Sequence, residues 1–352
     1  MTSHHPGVIL RKESNKTAPV GSFWDSLRER VARRPARVIL VEPEDPRVLS
    51  AASYLRERML AVPVFVGNPG RIHRAALAVG LDISDIECLD PETHPQRFVF
   101  ETMLFDLRKA KGLTRDQATE LVADPVYFGV LALRAGLADT FVGGAVRSTA
   151  DTVRAGFAGL GMAHGAETAF GAFLMDCPYA AGKPGPLLFA DCAVSPRPSP
   201  RALASIGVGA AKVFEKLTGQ KARVAFLSFS TRASASDESV EAVRHAVELA
   251  RKKAPDLDVD GELQGDAALE LWVARQKGAE NSKVAGQANV LVFPDLNSGN
   301  IAYKLVRHLG GARAVGPVVA GLSRPFSDLS RGCTDEDIVD AAVLTALLQG
   351  GF

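Results

Sequence analysis

The sequence predicts an α/β protein with mostly parallel β-sheets that are covered by helices on both faces. Short apolar runs bounded by turn residues alternate with longer stretches whose apolar residues recur at helical spacing. Because parallel strands need long crossover connections, repeated βα units favour parallel pairing with helices on both sides of the sheet. The length of 352 residues is enough for two such three-layer domains.

The first part of the chain establishes this alternation. Pro35 ends the first predicted helix, Gly112 is the natural stop of a helix with a basic last turn, and Asp124-Pro125 ends the helix that begins at Thr114. The predicted elements are a helix over 23–33, a strand within 36–45, a helix over 46–59, a strand over 62–66, and helices over 69–79, 98–111, 114–123 and 128–137.

A short strand over 140–142 runs into Gly143-Gly144 and then into a new helix that starts near Ser148 and Thr149. Backbone N–H groups at a helix start, together with small hydroxyl side chains, form a cradle for an anion. A simple capped turn fits the same residues, with Ser148 or Thr149 as the N-cap. Taken alone, the pattern leaves both interpretations open.

The character of the chain changes near residue 165, where we place a domain boundary. Residues 171–178 and 186–196 predict two paired strands around the Gly/Pro-rich loop 181–185. The elements predicted beyond them are a helix over 200–217, a strand over 223–229, a helix over 240–253, a strand over 259–263, a helix over 266–276, a strand over 290–293, and a final strand and helix within 314–348.

Two polar loops follow predicted strands in this part, at the position where open α/β sheets bind ligands. The first contains Ser230 and Thr231, and the second contains Asn297 and Ser298. Hydroxyl side chains and backbone N–H groups there are suited to phosphate. Simple helix capping fits both loops equally well.

The densest cluster of chemically active side chains lies in residues 330–337. It contains Ser330, Arg331, Cys333 and three carboxylates, and an apolar run with helical spacing follows it. The Thr334-x-x-Asp337 spacing predicts a capping box at the start of that helix, where the helix dipole favours an anion. A plain helix cap, with a solvated arginine and a small buried cysteine, fits the same pattern.

Composition narrows the functional class. The chain has 41 Lys and Arg against 40 Asp and Glu, so it has no overall basic character that would suit nucleic acid or an anionic membrane. No apolar run reaches the ~18 to 20 residues of a membrane span, and the polar residues 1–21 do not resemble a signal peptide. The four widely spaced cysteines lack metal-ligand or disulfide spacing, so we expect a cytoplasmic protein with reduced thiols and no metal.

Several motifs resemble those of the phosphate acetyltransferases (phosphotransacetylases). Gly316-Pro317, the run 328–332 (Asp-Leu-Ser-Arg-Gly) and the run 337–339 (Asp-Ile-Val) are similar to the C-terminal signature of that family. Other matching landmarks occur in the same order, so the resemblance covers about residues 20–350; they lie at 107–112, 148–154, 191–193, 227–231, 260–268 and 293–300.

The sequence departs from the family pattern at four positions. Ala320 stands where the family usually has Gln, Ser327 where it has Asn, and Arg147 where it has His. Asp45 follows the Pro-Glu pair where a Gly is usual. These changes leave open which acyl-chain length the protein prefers.

The resemblance implies a two-domain fold like that of the isocitrate and isopropylmalate dehydrogenases. Residues 1–164 and 318–352 would form domain I, which carries the Ser-Arg-Asp motif, and residues 165–317 would form domain II, which binds substrate and dimerises. The active site would lie in the cleft between them. A homodimer is expected.

The resemblance also implies the reaction acetyl-CoA + phosphate ⇌ acetyl phosphate + CoA, with Asp337 as base, Ser330 orienting the sulfur and Arg331 stabilising negative charge. The substrates are small molecules, coenzyme A is a substrate, and no further cofactor, metal, nucleic acid or membrane is required. The expected substrate-binding residues are Arg108, Arg154, Ser148, Thr149, Ser230, Thr231, Asn297, Ser298 and Cys333.

Simpler or different interpretations exist for several of these assignments. Arg108 also fits a favourable charge at a helix C-terminus, and Arg154 fits a solvated surface side chain. Phosphate butyryltransferase activity, or another short-chain acyl specificity, is the nearest alternative reaction. A non-catalytic acetyl-CoA sensor is the competing class, and a metal-dependent hydroxyacid dehydrogenase would follow from fold analogy alone. The presence of Ser330, Arg331 and Asp337 together favours catalysis.

Overall fold

The computed structural model describes residues 23–177 and 185–350. The predicted N-terminal extension and most of the loop 181–185 lie outside the described residues. The predicted fold class is confirmed, because the described chain is a mixed α/β structure around one large and mostly parallel sheet of 11 strands.

The strands that the structure describes are numbered in chain order. They are β1 (Ala36–Val41), β2 (Ala61–Val66), β3 (Glu87–Leu89), β4 (Thr140–Gly143), β5 (Phe170–Asp176), β6 (Leu187–Ala190), β7 (Arg223–Leu227), β8 (Asp258–Leu263), β9 (Val290–Val292), β10 (Arg313–Ala320) and β11 (Phe326–Asp328).

The described α-helices are numbered in the same way. They are α1 (Phe23–Ala32), α2 (Pro46–Glu57), α3 (Pro69–Ala78), α4 (Arg97–Arg108), α5 (Arg115–Val122), α6 (Pro125–Arg134), α7 (Thr149–Gly159), α8 (Pro200–Thr218), α9 (Glu238–Lys253), α10 (Gly265–Leu269), α11 (Leu271–Gln276), α12 (Leu296–Gly310) and α13 (Asp335–Leu347).

The sheet consists of two parallel blocks joined by antiparallel strands. The strand order is β3-β2-β1-β4-β11-β10-β5-β6-β9-β7-β8. Strands β3 to β11 in this order are parallel to one another, and so are β6, β9, β7 and β8. The pairs β11–β10, β10–β5 and β5–β6 are antiparallel. We call β10 and β5, which lie between the two blocks, the seam.

Both faces of the sheet are buried, as expected for parallel strands. One apolar cluster extends along a whole face and contains Leu40 of the first block and Phe226 of the second, with α1, α2, α8, α9 and α13 packed over it. The opposite face is covered by α4 to α7 over the first block and by α10 to α12 over the second. The result is a three-layer structure.

Side chains cap the helices that begin near the seam, and the caps at Ser148 and Thr334 are the ones that the sequence predicts. Asp45, Ser148, Asp295 and Thr334 are the N-caps of α2, α7, α12 and α13, and each side chain accepts a hydrogen bond from a backbone N–H of the first turn. These caps satisfy donors that would otherwise lack partners at the helix ends.

Some elements differ from the sequence-based expectation. The short strand β3 was not predicted, and the final predicted strand is the antiparallel pair β10 and β11. The helix predicted over 266–276 is two short helices, because Glu270 between them has an extended backbone. Gly112 ends the helical segment after α4 in a left-handed conformation, as predicted.

The proposed domain division stays a prediction. The boundary at residues 164 and 165 precedes β5, and the boundary at residues 317 and 318 falls inside β10. No helix in the described part of the chain has the length and apolar character needed to cross a bilayer.

Candidate active site

A cavity of about 800 Å³ lies at the seam of the sheet. Its walls come from the start of α7, from β5 and β10, from the residues after β6, from α12, and from the segment that joins β11 to α13. Both parallel blocks therefore contribute to one concave surface. A cleft of this size with convergent polar groups is a typical small-molecule site.

The structure brings six predicted site residues to this cavity. They are Ser148, Thr149, Ser330, Arg331, Cys333 and Asp337. Ser330 and Arg331 are exposed, whereas Cys333 is buried. Burial raises the pKa of the Cys333 thiol to about 11, although the nearby Arg47 guanidinium opposes the shift. Cys333 is therefore a neutral side chain of the cavity wall at physiological pH.

Arg47, at the start of α2, fixes the segment that carries Ser330 and Arg331. Its guanidinium donates to the backbone oxygens of Arg331 at 2.9 Å, Cys333 at 2.8 Å and Ala145 at 2.9 Å. Asp45 accepts from the same guanidinium at 3.0 and 2.8 Å and so fixes its plane. Because a bidentate Arg–Asp pair is geometrically specific, this contact determines where the segment lies.

Asp337 has two structural partners besides its place at the cavity. Thr334 and Asp337 form the predicted capping box, since the Asp337 N–H donates to Thr334 Oγ1 at 3.1 Å and the Thr334 N–H donates to Asp337 Oδ2 at 3.0 Å. Arg307 of α12 also forms an ion pair with this carboxylate at 3.1 Å. The carboxylate is therefore held in one orientation at the start of α13.

Asp328 is a cavity residue that the sequence analysis did not identify. The residue is 1% exposed, and among the described residues neither of its carboxyl oxygens has a hydrogen-bond partner. Burial raises the pKa of Asp328 to about 7; the Thr149 and Thr152 hydroxyls oppose the shift, and the negative Glu42 adds to it. Both threonine hydroxyls lie near the carboxyl group, but neither meets hydrogen-bond geometry with it, and the Thr152 hydroxyl donates to Ser148 O at 3.2 Å instead.

Helix α12 supplies a basic face that sequence analysis also missed. Lys304, Arg307 and His308 all line the cavity, at positions i, i+3 and i+4 of one helix. Asn300, one turn earlier, donates to Cys192 O at 3.0 Å and holds the helix against the loop after β6. The spacing of the three basic residues was the available signal. The positive charges of Lys304 and Arg307 suit phosphate groups.

Six predicted residues do not line this cavity. Arg154 forms an exposed ion pair with Asp151 at 2.8 Å, and Ser298 stays at its own helix start with Asp295. Ser230 and Thr231 are buried and bond to Glu262 and Gln264, respectively. The substrate-binding roles of all six residues stay predictions. The six are Arg108, Arg154, Ser230, Thr231, Asn297 and Ser298.

The departures Ala320, Ser327 and Arg147 do not line this cavity either. Ser327 is buried and its hydroxyl donates to Pro317 O at 2.8 Å, which ties β11 to β10. Arg147 forms an ion pair with Asp124 at 2.6 Å. Ala320 is buried at the end of β10. In this chain the three residues have structural contacts of their own.

Comparison with known proteins decides the family. The model of the phosphate acetyl/butaryl transferase family matches residues 22–346. The chain belongs to this family. The resemblance found in the sequence motifs is thereby confirmed.

Individual members of the phosphate acetyl/butaryl transferase family are similar over nearly the whole chain. A phosphate acetyltransferase of Clostridium acetobutylicum is 44% identical over 331 residues, which are 93% of this chain and 97% of that protein. A phosphate acetyltransferase of Thermoanaerobacterium thermosaccharolyticum is 44% identical over 327 residues, 93% of this chain and 99% of that protein. The crystal structure of a phosphotransacetylase from Streptococcus pyogenes is 37% identical with a TM-score of 0.87 and covers 94% of this chain and 98% of that chain.

The burial of Asp328 leads to a stability prediction. Its pKa is raised from the ordinary 3.8 to about 7 in the folded protein, so its favourable contribution is complete below about pH 4 and is lost as the pH rises to about 7. Asp328→Asn does not titrate. As the pH rises across this window, the wild type should therefore lose up to ~4 kcal/mol of unfolding free energy relative to the variant. This figure corresponds to ~3 pH units at ~1.36 kcal/mol each.

Urea denaturation of both proteins at several pH values between about 4 and 8 measures this loss. Other titrating groups cancel in the difference between variant and wild type. A difference that stays constant with pH would show that Asp328 is ionised as readily in the folded as in the unfolded chain.

Proposed function

We propose that this protein catalyses the reversible transfer of an acetyl group between coenzyme A and inorganic phosphate. Membership in the phosphate acetyl/butaryl transferase family supports this activity. The observation that carries the proposal is the cavity in which Ser330, Arg331 and Asp337 meet. These residues supply an orienting hydroxyl, a positive charge and a base.

The reaction proceeds by direct attack of the coenzyme A thiolate on acetyl phosphate. Asp337 takes the proton from the thiol, because the thiolate is the nucleophile. The sulfur bonds to the acyl carbon, a tetrahedral oxyanion forms, and the bond from carbon to the phosphate oxygen then breaks. Ser330 orients the sulfur and Arg331 stabilises the oxyanion. No acyl-enzyme forms, and neither a metal nor a further cofactor is needed.

Proton transfer from a thiol to a carboxylate is uphill in water. A free thiol near pKa 8.5 and a free Asp near 3.9 differ by ~4.6 units, or about 6 kcal/mol. Arg331 and the N-terminus of α13 stabilise the thiolate and so reduce this difference. The Asp337 carboxylate also has to leave its 3.1 Å ion pair with Arg307 to accept the proton. A substrate phosphate that attracts Arg307 away from Asp337 would remove this obstacle.

The helix N-termini and the basic side chains around the cavity bind the substrates. The N-terminus of α7, with Ser148 and Thr149, binds the acyl phosphate. Arg108 and Arg154 bind coenzyme A from outside the cavity. Cys333 lies near the sulfur, and the loops at 230–231 and 297–298 contact more distant parts of the substrate.

The activity assay follows the thioester absorbance of acetyl-, propionyl- and butyryl-CoA in the presence of phosphate. We expect phosphate-dependent loss of acetyl-CoA and formation of acetyl phosphate, unchanged by a chelator. Preference for butyryl-CoA would assign phosphate butyryltransferase activity instead. Tight binding of acetyl-CoA without acyl phosphate formation for any chain length would identify an acetyl-CoA sensor.

The role of Asp337 as base is separable from its role as helix cap. Asp337→Asn removes the carboxylate with little change of shape, so kcat should fall by the ~10² to 10⁴ typical of lost acid–base catalysis. Thr334→Val is the matched control, since it breaks the other half of the same capping box. It should cost about 1 kcal/mol of stability and leave kcat near normal.

Steady-state kinetics and thermal unfolding of both variants measure these effects. Residual activity of Asp337→Asn should rise with pH as solvent supplies free thiolate. Equal and small losses of kcat in the two variants would leave Asp337 as a cap alone.

We propose further that the protein is a cytoplasmic homodimer that associates through α12. Ile301, Leu305 and Leu309 recur at four-residue spacing on this helix and are 56%, 52% and 82% exposed. Such an exposed apolar stripe is typical of a helix that packs against a second subunit. Since Lys304 and Arg307 of the same helix line the cavity, association would also fix the cavity wall. The four cysteines are free, as in a reducing compartment.

Sedimentation analysis tests the dimer. The wild type should sediment at twice the chain mass of 37.3 kDa, and the double variant Leu305→Glu with Leu309→Glu should sediment as a monomer because it places charges in the apolar stripe. Phe98→Glu, at an apolar side chain that is 75% exposed on α4, is the control and should remain dimeric. A double variant that stays dimeric would place the interface elsewhere.

A further inference from the structure

Asp328 differs from the other deeply buried aspartates near the seam. Asp191 accepts hydrogen bonds from four backbone N–H groups, and Asp340 pairs with Arg28 and Arg313. Asp328 is as deeply buried, yet neither carboxyl oxygen has a hydrogen-bond partner among the described residues. Because a buried polar group without a partner is costly, such a group in a cavity wall indicates a function.

The position of Asp328 is fixed by its neighbours. It is the last residue of β11 and lies two residues before Ser330 in the same cavity wall. Gly144 packs against it so closely that a Cβ there would lie 2.4 Å from Asp328 Oδ1. The Gly144 N–H donates to Glu42 at 3.1 Å, so it is not available to Asp328. Asp328 thus belongs to the cavity wall, and its two carboxyl oxygens are shielded from solvent and have no hydrogen-bond partner among the described residues.

The proposed reaction needs a second proton transfer that Asp337 does not supply. When thiolate attacks acetyl phosphate, the departing phosphate carries away the electron pair of the broken C–O bond. Without a proton it would leave as a trianion, which is a strong base and a poor leaving group. A general acid close to the bridging oxygen removes this barrier.

We propose that Asp328 is this general acid. The assignment rests on the proposed acetyl transfer. The Asp328 carboxyl gives its proton to the bridging oxygen as the C–O bond breaks, and the phosphate leaves as a hydrogen phosphate dianion. At the end of the step Asp328 is ionised and Asp337 is protonated, and exchange with solvent restores both. In the reverse direction Asp328 takes the proton from the attacking phosphate.

The surroundings of Asp328 suit this role. Burial and the negative charge of Glu42 hold its pKa at about 7, so the proton is both present and transferable near neutral pH. Glu42, directly after β1, is the charged group that acts on it, and Asp328 in turn contributes to the raised pKa of Tyr303 on α12. The hydroxyls of Thr149 and Thr152 face it from α7. A neutral carboxyl group also avoids repulsion of a phosphate bound at the start of that helix.

The test compares two leaving groups in the direction that forms acetyl-CoA. Acetyl phosphate must lose phosphate, which needs a proton, whereas acetyl methyl phosphate loses methyl phosphate, which is stable as a dianion without one. Asp328→Asn should lower kcat ~10² to 10⁴-fold with acetyl phosphate and only a few-fold with acetyl methyl phosphate. Asp337→Asn, which affects the thiol proton, should lower kcat with both substrates by similar factors.

The pH dependence of kcat/KM gives a second, independent measurement with acetyl phosphate alone. Wild-type kcat/KM should fall as the pH rises above about 7, where Asp328 of the free enzyme loses its proton, and Asp328→Asn should lack this fall. If acetyl methyl phosphate is not a substrate, this pH profile alone tests whether Asp328 is the general acid. Circular dichroism checks that the variant is folded.

The possible outcomes distinguish a failure of the Asp328 proposal from a failure of the proposed acetyl transfer. Equal loss with both leaving groups, or an unchanged pH profile in Asp328→Asn, would assign Asp328 a structural role while acetyl transfer stands. Normal kcat of the variant with acetyl phosphate would also overturn the inference. Absence of wild-type turnover with acetyl phosphate would instead refute the proposed function, and the inference with it.

Discussion

The antiparallel pair β10–β11 is the constraint on which the rest of the structure depends. It lies between β4 and β5 in the sheet, and together with β5 it joins the two parallel blocks. Phe326 of β11 stacks on Phe141 of β4 at 4.6 Å, and β10 pairs with β5 along nearly its whole length. Because β11 leads directly into Ser330 and Arg331, this packing delivers the site to the place where the two blocks meet.

One glycine shows how tightly this arrangement is built. At Gly316 a Cβ would lie 2.6 Å from the Ala172 backbone oxygen, and φ is 142°, a conformation that side chains rarely adopt. The β10–β5 register shifts between Val315 and Val318, around this residue and Pro317. The Gly316-Pro317 motif is therefore explained by close backbone approach at the seam, which also forms part of the cavity wall.

The sequence was sufficient for those features that depend on local spacing. The βα alternation, the Ser148 cap and the Thr334–Asp337 capping box follow from residues within a few positions of one another, and the structure contains them. Arg47 and Arg307 were missed because they reach the site through space: Arg47 bonds to the backbone of Arg331 across 284 positions of sequence. A local pattern does not contain such a contact.

Similar local patterns can also belong to different environments in the structure. The loop with Ser230 and Thr231 and the start of α7 have the same composition of small hydroxyl residues before a helix. Only the second lies at the cavity, because the first is closed by hydrogen bonds to Glu262 and Gln264. What separates the two is which strand each loop follows and which neighbours cover it, and this depends on the strand order of the whole sheet.

The two carboxylates of the cavity acquire different properties from their surroundings. Asp337 lies at a helix start, where its carboxylate accepts from the Thr334 backbone N–H and pairs with Arg307, so its charge is compensated and its orientation fixed. Asp328 lies at the end of a buried strand, with no hydrogen-bond partner in the described part of the chain and with the Glu42 carboxylate nearby, so its neutral form is favoured. One segment of ten residues thus holds two carboxyl groups in contrasting environments. The difference arises from fold position, since the residue type is the same.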